Sequence, residues 1–357
     1  MRALRYILIG LLVHLLCLEA LLQALPVSDA TMRDYYQDPE ILSYPVGHRW
    51  TTSIGWDLKQ AQHHRANNFG YLAHRDFAPD AQAVALIGDS LVEASALDEQ
   101  DRPDAQLERA LKGPAVFGLA VPGTSLLDYA ERLRWAHDRL GVRRFVMLLE
   151  SRDIVQSLCG SGNTNGPCLR PDTLAPSEEH IASAGPLKRL LRHSALANYL
   201  MSQIKLNGRR LWQQALKQAR PPGQEEPRER RLPPSRTDPA WSAADEAVTQ
   251  VFIRRVQPFL QDSRLLLLAD EGRLGVYRGI TQSSTRMQAF AARLASAGIG
   301  FVDLRQAYAT CWQRSRLHME LGPYDSHLNA LGVQTMSQAA AAAWQDLERA
   351  PARRAGN

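Results

Sequence analysis

Ser90 stands three residues beyond a short apolar run, Ala83-Val84-Ala85-Leu86-Ile87, from which Gly88-Asp89 separate it. A serine hydroxyl attacks a carbonyl when a neighbouring base takes its proton. His327 is the natural base, since an imidazole titrates near neutral pH. Asp325, two residues earlier, offers a carboxylate to the second ring nitrogen. The negative oxygen that develops during such an attack needs donors. The candidates are the backbone N–H of Ser90 and those that follow the next apolar run, Ala115–Val121. Asp89, Gly123 and Asp153 are read as supporting residues that order these loops.

Ser90 and His327 lie 237 positions apart, so the elements between them must bring them together. Apolar runs at Ala83–Ile87, Ala115–Val121, Phe145–Leu149, Leu265–Leu268 and Gly300–Leu304 are short, continuous and bounded by polar residues, the pattern of strands buried on both faces. Helical patterns stand between them, at about 105–112, 125–140, 243–260 and 285–297, and a closing Ala-rich helix runs from Asn329 to about Leu347. This alternation predicts an α/β fold: a mostly parallel five-stranded sheet with helices on both faces. Ligands in such folds bind beyond the C-terminal ends of the strands. Gly88-Asp89-Ser90, Val121-Pro122-Gly123, Glu150-Ser151-Arg152-Asp153 and Asp325-Ser326-His327 are all placed at that edge.

Ile87-Gly88-Asp89-Ser90-Leu91 after an apolar strand resembles the first block of the GDSL/SGNH hydrolases, and the likeness extends through residues 83–153 and 263–345. Leu119-Ala120-Val121-Pro122-Gly123 is similar to the second block, and Asp325-Ser326-His327-Leu328-Asn329, followed by Gly332, to the last. The resemblance implies a three-layer α/β/α sandwich with Ser90 as nucleophile and His327 as base. Three positions depart from the pattern. Ala120 stands where the second block has its glycine, and Arg152 where the third has its oxyanion asparagine. The family's aspartate place, three before the histidine, holds Tyr324, while Asp325 stands two before. Asn67-Asn68-Phe69-Gly70 resembles a lead-in of exported, membrane-anchored members.

The N-terminus agrees with export. Arg2 and Arg5 precede an apolar run from Tyr6 to Leu25, about 30 Å as a helix. Residues 1–30 are read as a signal anchor, with the body outside the cytoplasm (periplasmic in a Gram-negative source). A cleaved signal ending near Ser28-Asp29-Ala30 is the alternative. Glu19 and Gln23 interrupt the run on one helix face near its outer end, where snorkelling is cheap. Cys159 and Cys168 flank Gly-Ser-Gly-Asn-Thr-Asn-Gly-Pro and could pair in an oxidising space; Cys17 lies in the apolar run and Cys311 is left over. Residues 31–80 read as an extracytoplasmic lead-in and 81–350 as the main domain. An insertion at 155–262 includes a helical, basic stretch at 187–218 and a Pro- and charge-rich tract at 219–240; residues 351–357 form a tail.

Composition excludes several classes. With 45% hydrophobic and 22% charged residues, the chain is neither disordered nor collagen-like, and its single long apolar run excludes a multi-span protein. The net charge of +5 is too diffuse to imply a nucleic-acid partner. His63-His64 read as surface residues, no metal-ligand spacing occurs, and no metal or organic cofactor is implied. Three functions fit. One is an exported serine esterase acting on an acylated carbohydrate or lipid. The second is an O-acyltransferase that passes the acyl group to a cell-surface polysaccharide. The third is a non-catalytic scaffold of the same fold. Partners are then the ester or acylated carbohydrate, the membrane through the N-terminal helix, and envelope-assembly proteins.

Overall fold

A computed structural model describes residues 2–182, 184–204, 241–322 and 325–349. Tyr324, the tract at 219–240, residues 205–218 of the basic stretch and the tail at 351–357 lie outside the described residues. In chain order the elements are α1 (Arg2–Gln23), β1 (Asp34–Asp38), β2 (Ile41–Ser43), β3 (Arg49–Ile54), β4 (Lys59–Arg65), β5 (Val84–Gly88) and α2 (Ser90–Glu93). Then follow α3 (Pro103–Leu111), β6 (Val116–Ala120), α4 (Leu126–Leu140), β7 (Arg144–Leu149), α5 (Arg152–Gln156), β8 (Pro167–Leu169) and β9 (Pro176–Glu178). Next are α6 (Pro186–Leu191), α7 (Ala195–Asn198), α8 (Ala243–Val256), β10 (Arg264–Ala269), α9 (Arg273–Val276) and α10 (Thr285–Ser296). The chain closes with β11 (Gly300–Asp303), α11 (Arg305–Ser315), β12 (Glu320–Gly322), β13 (Asp325–Leu328) and α12 (Ala330–Arg349).

The chain divides into two compact units. The larger holds Arg33–His48, Arg65–Ile181 and Ala240–Asn357. Its sheet is five-stranded and parallel, in the order β11-β10-β7-β5-β6. Alternate residues of each strand feed two cores, as a strand period of two requires. Ala85, Ile87, Phe145, Met147, Leu265 and Leu267 pack with α4, α8 and α10. Val84, Leu86, Val146, Leu148, Leu266 and Leu268 pack on the other face with α3, α11 and α12. This is an α/β fold of three layers. The strand order reverses beside β5, so the strand that ends in Gly88 is the one at the switch point, where such sheets open a crevice.

The smaller unit holds Met1–Met32, Arg49–His64 and Ala182–Pro239. α1 is long and apolar enough to cross a membrane. Its end packs Leu22 against Ala195, with Val27, Leu58, Leu196 and Tyr199 around them. Two expectations are corrected here. Glu19 and Gln23 do not simply reach for water: Glu19 accepts hydrogen bonds from Gln23, from Ser194 and from the N–H groups of Ala195 and Leu196. His64 is not a surface residue. It is buried beside Trp50, and its Nε2 lies 2.8 Å from Thr52 Oγ1.

Candidate active site

The turn after β5 leaves no room for a side chain at Gly88. A Cβ there would meet Val92 Cγ2 at 2.5 Å and the Leu148 carbonyl oxygen at 3.0 Å. The chain therefore turns tightly, and Ser90 becomes the first residue of α2. Asp89 caps this turn, its Oδ1 accepting from the Leu91 N–H at 2.9 Å. Arg132, buried in α4, donates from one nitrogen to the Gly88 carbonyl at 2.9 Å and to Thr124 Oγ1 at 3.0 Å.

His327 arrives from the opposite end of the chain on β13, paired antiparallel with β12. Its Nε2 lies 2.9 Å from Ser90 Oγ, and its Nδ1 lies 2.6 Å from Asp325 Oδ1. The same Asp325 oxygen accepts from the His327 main-chain N–H at 2.9 Å, so one carboxylate fixes both ring and backbone. That carboxylate raises the histidine's pKa, against the opposing effect of burial. Asn329 holds the hairpin by donating to the carbonyls of His318 and Glu320. A Cβ at Gly332 would stand 2.6 Å from the Met319 oxygen, which explains a glycine where α12 passes under the hairpin.

The supporting residues divide. Asp153 is buried; its Oδ2 accepts from the Glu150 N–H at 2.9 Å and from the Tyr129 hydroxyl at 3.2 Å. Burial, with Asp89 adding to it, pushes its carboxyl well above the usual range. Burial also raises Asp89, and it takes Glu150 up to about 7. Arg152 pairs with Glu150, and 60% of its side chain is exposed. Its charge is thus committed to a neighbouring acid on its own loop.

Ala120 requires a correction. It is the last residue of β6, buried and in register with Gly88, so it stands in the strand rather than in the loop beyond it. Gly123 stands in the loop beyond, with φ of +70°. Both carbonyls flanking its N–H and Cα are held. Arg33 donates to the Pro122 oxygen, and Asn165 Nδ2 donates to the Gly123 oxygen at 2.6 Å. In a trans peptide the N–H points opposite to the carbonyl, so Arg33 on the Pro122 oxygen turns the Gly123 N–H the other way.

Arg132, described above, was not singled out from sequence, and neither were Arg273, Asn165 and Arg33. Arg273, at the start of α9, pairs with Asp270 at 2.9 Å and donates to the Ser326 carbonyl at 2.7 Å, between Asp325 and His327. The signal was the polar run Asp270-Glu271-Gly272-Arg273 directly after an apolar strand. Asn165, only 4% exposed, lies inside the loop closed by the Cys159–Cys168 disulfide, and its N–H donates to Asp128 Oδ1. Arg33 carried no signal, since it precedes every recognisable block.

No family model matches the chain, and no curated protein matches it. Solved structures do. An alpha/beta hydrolase enzyme from the metagenome of Lake Arreo, Spain, is 15% identical over 76% of this chain and 98% of its own, with a TM-score of 0.38. A putative lipolytic protein of the G-D-S-L family from Desulfitobacterium hafniense DCB-2 is 10% identical over 73% of this chain and 99% of its own, with a TM-score of 0.34. A member of the same lipolytic family from Veillonella parvula DSM 2008 is 9% identical over 75% and 97%, with a TM-score of 0.35.

Proposed function

We propose that the protein is an exported serine esterase of SGNH type, tethered by α1, that removes acyl groups, acetyl foremost, from a cell-envelope carbohydrate or lipid. The observation that carries this reading is the hydrogen-bonded series Ser90 Oγ, His327 Nε2, His327 Nδ1, Asp325 Oδ1 at 2.9 and 2.6 Å. Ser90 Oγ attacks the ester carbonyl carbon, and His327 Nε2 takes the hydroxyl proton. The backbone N–H groups of Ser90 and Gly123 receive the oxyanion. Collapse breaks the acyl–oxygen bond, and His327 returns the proton to the departing alkoxide. Water then repeats the sequence on the acyl-serine and frees the acid. Asp325 positions the ring and stabilises its charged form. The Cys159–Cys168 disulfide supports an oxidising compartment for the body.

His327 is 38% exposed, which lets water reach the acyl-serine and favours hydrolysis over transfer. The test is turnover of a short-chain aryl acetate by the full chain in detergent, beside Ser90→Ala and His327→Ala, with and without an acetylatable polysaccharide. Turnover lost in both variants supports the esterase. Acetyl accumulating on the polysaccharide would replace it with the O-acyltransferase. Turnover unchanged by Ser90→Ala would overturn both and leave the scaffold.

A further inference from the structure

Twenty residues from Tyr6 to Leu25 match one bilayer core, about 30 Å. On that scale Glu19, six residues before Leu25, stands about 9 Å inside the outer boundary. An unpartnered carboxylate at such a depth is costly. This one has four donors: Gln23 Nε2 at 2.8 Å, Ser194 Oγ at 2.7 Å, and the N–H groups of Ala195 and Leu196 at 2.8 and 2.9 Å. Gln23 Nε2 also donates to the His193 carbonyl at 3.0 Å. The two polar residues of the anchor thus face one short segment, 193–196, and hold it against α1 at the level of the outer leaflet. The bonds serve both partners. Main-chain N–H groups that start a helix find no acceptor in hydrocarbon, and Glu19 supplies it.

The segment just before carries an apolar stripe that is exposed among the described residues. In α6, Leu187 and Leu190 fall on one face, three residues apart, and are 68% and 71% exposed. Lys188 and Arg189, also exposed, occupy the opposite arc. A short helix with leucines on one face and cations on the other suits the boundary between acyl chains and phosphates, where basic stems lie on the apolar surface and their heads reach outward. Trp56 adds an interfacial aromatic. It is exposed in the turn between β3 and β4, and its carbonyl accepts from the Tyr199 hydroxyl at 2.8 Å.

From this juxtaposition we infer that α6, α7 and the Trp56 turn form a wedge seated in the outer leaflet beside α1, with phospholipid headgroups and upper acyl chains as its ligand. The inference rests on the reading of α1 as a membrane anchor. It goes further in making the anchor a folded part of the smaller unit rather than a leash.

Nitroxide depth measurement on the full chain tests it, in vesicles of phosphatidylcholine and phosphatidylglycerol. Single labels are placed at Val13→Cys, Leu187→Cys, Lys188→Cys and Leu190→Cys, in a Cys17→Ser, Cys311→Ser background that leaves the disulfide intact. The expected result is a ratio of oxygen to water-soluble nickel collisions severalfold higher at 187 and 190 than at 188, and highest at 13. Val13 in lipid with 187 and 190 open to nickel would keep the anchor and overturn the wedge. Val13 open to nickel would overturn the anchor reading and the wedge with it.

Discussion

The two ends of the proposed site are held in different ways. Ser90 sits on a turn moulded by the sheet: Gly88 has no space for a methyl group, Asp89 caps the turn and buried Arg132 grips the Gly88 carbonyl. His327 rides on a two-stranded hairpin outside the main sheet, 38% exposed and held by Asp325, Arg273 and Asn329. Packing and buried hydrogen bonds at the main sheet position Ser90, whereas polar contacts on an outlying hairpin position His327. Damage to the first therefore costs the fold, whereas damage to the second costs alignment.

The largest effect comes from removing either end. Ser90→Ala and His327→Ala should each lower kcat by about 10⁴-fold or more with the thermal midpoint preserved, checked by aryl-ester turnover and calorimetry. Asp325→Asn should cost about 10² to 10⁴ in kcat and also move the pH profile. The base works only when neutral, so activity rises with pH through the His327 pKa, which Asp325 holds above the ordinary value of about 6.5. Without that carboxylate the acidic limb should shift to lower pH; an unmoved limb would remove Asp325 from its positioning role.

Arg273→Ala sharpens the comparison, because Arg273 belongs to both regimes. It frees the Ser326 carbonyl beside the base and leaves buried Asp270 unpaired. Stability should fall by about 3–5 kcal/mol in denaturant titration. Arg273→Gln, which keeps a donor, should recover part of the activity but little of the stability. Asn165→Ala should lower kcat about tenfold at unchanged KM, since it loosens the Gly123 loop without touching the substrate's remote contacts.

A further effect is on pH-dependent stability. Glu150 titrates near 7 in the fold against about 4.3 unfolded. The native state then holds the extra proton, so stability falls as pH rises across that interval. Glu150→Gln should flatten that slope in thermal melts from pH 5 to about pH 8.

Much of the larger unit was legible because its strands are continuous apolar runs. Val84–Gly88, Arg144–Leu149 and Arg264–Ala269 each lie within a residue or two of their sequence limits. The closing helix and the amphipathic Leu126–Leu140 were equally plain. The short hairpins were not. Lys59–Arg65 has no apolar residue but Ala61, and pairing with Arg49–Ile54 makes it a strand. Arg305–Ser315 was missed as a helix because Tyr308, Ala309 and Trp312 are diluted by polar neighbours and its N-cap position holds Leu304. Within the site, Ser90, His327 and Asp325 could be named from chemistry. Arg273, Asn165 and Arg33 act through carbonyl oxygens, which leave no trace in residue type. Ala120 was expected beyond the strand and ends β6 instead, because an apolar run does not say where a strand stops and its loop begins.

Arg132 has a consequence for inheritance. One guanidinium nitrogen serves both the Gly88 carbonyl and Thr124 Oγ1, so the nucleophile's turn and the Gly123 loop share a single donor. Substitutions in the two loops should then be non-additive in a double-mutant cycle. Over generations the two segments are free to drift only as a pair, and a recombinant that joined one ancestor's first loop to another's second would inherit both sequences but not their common hinge-pin.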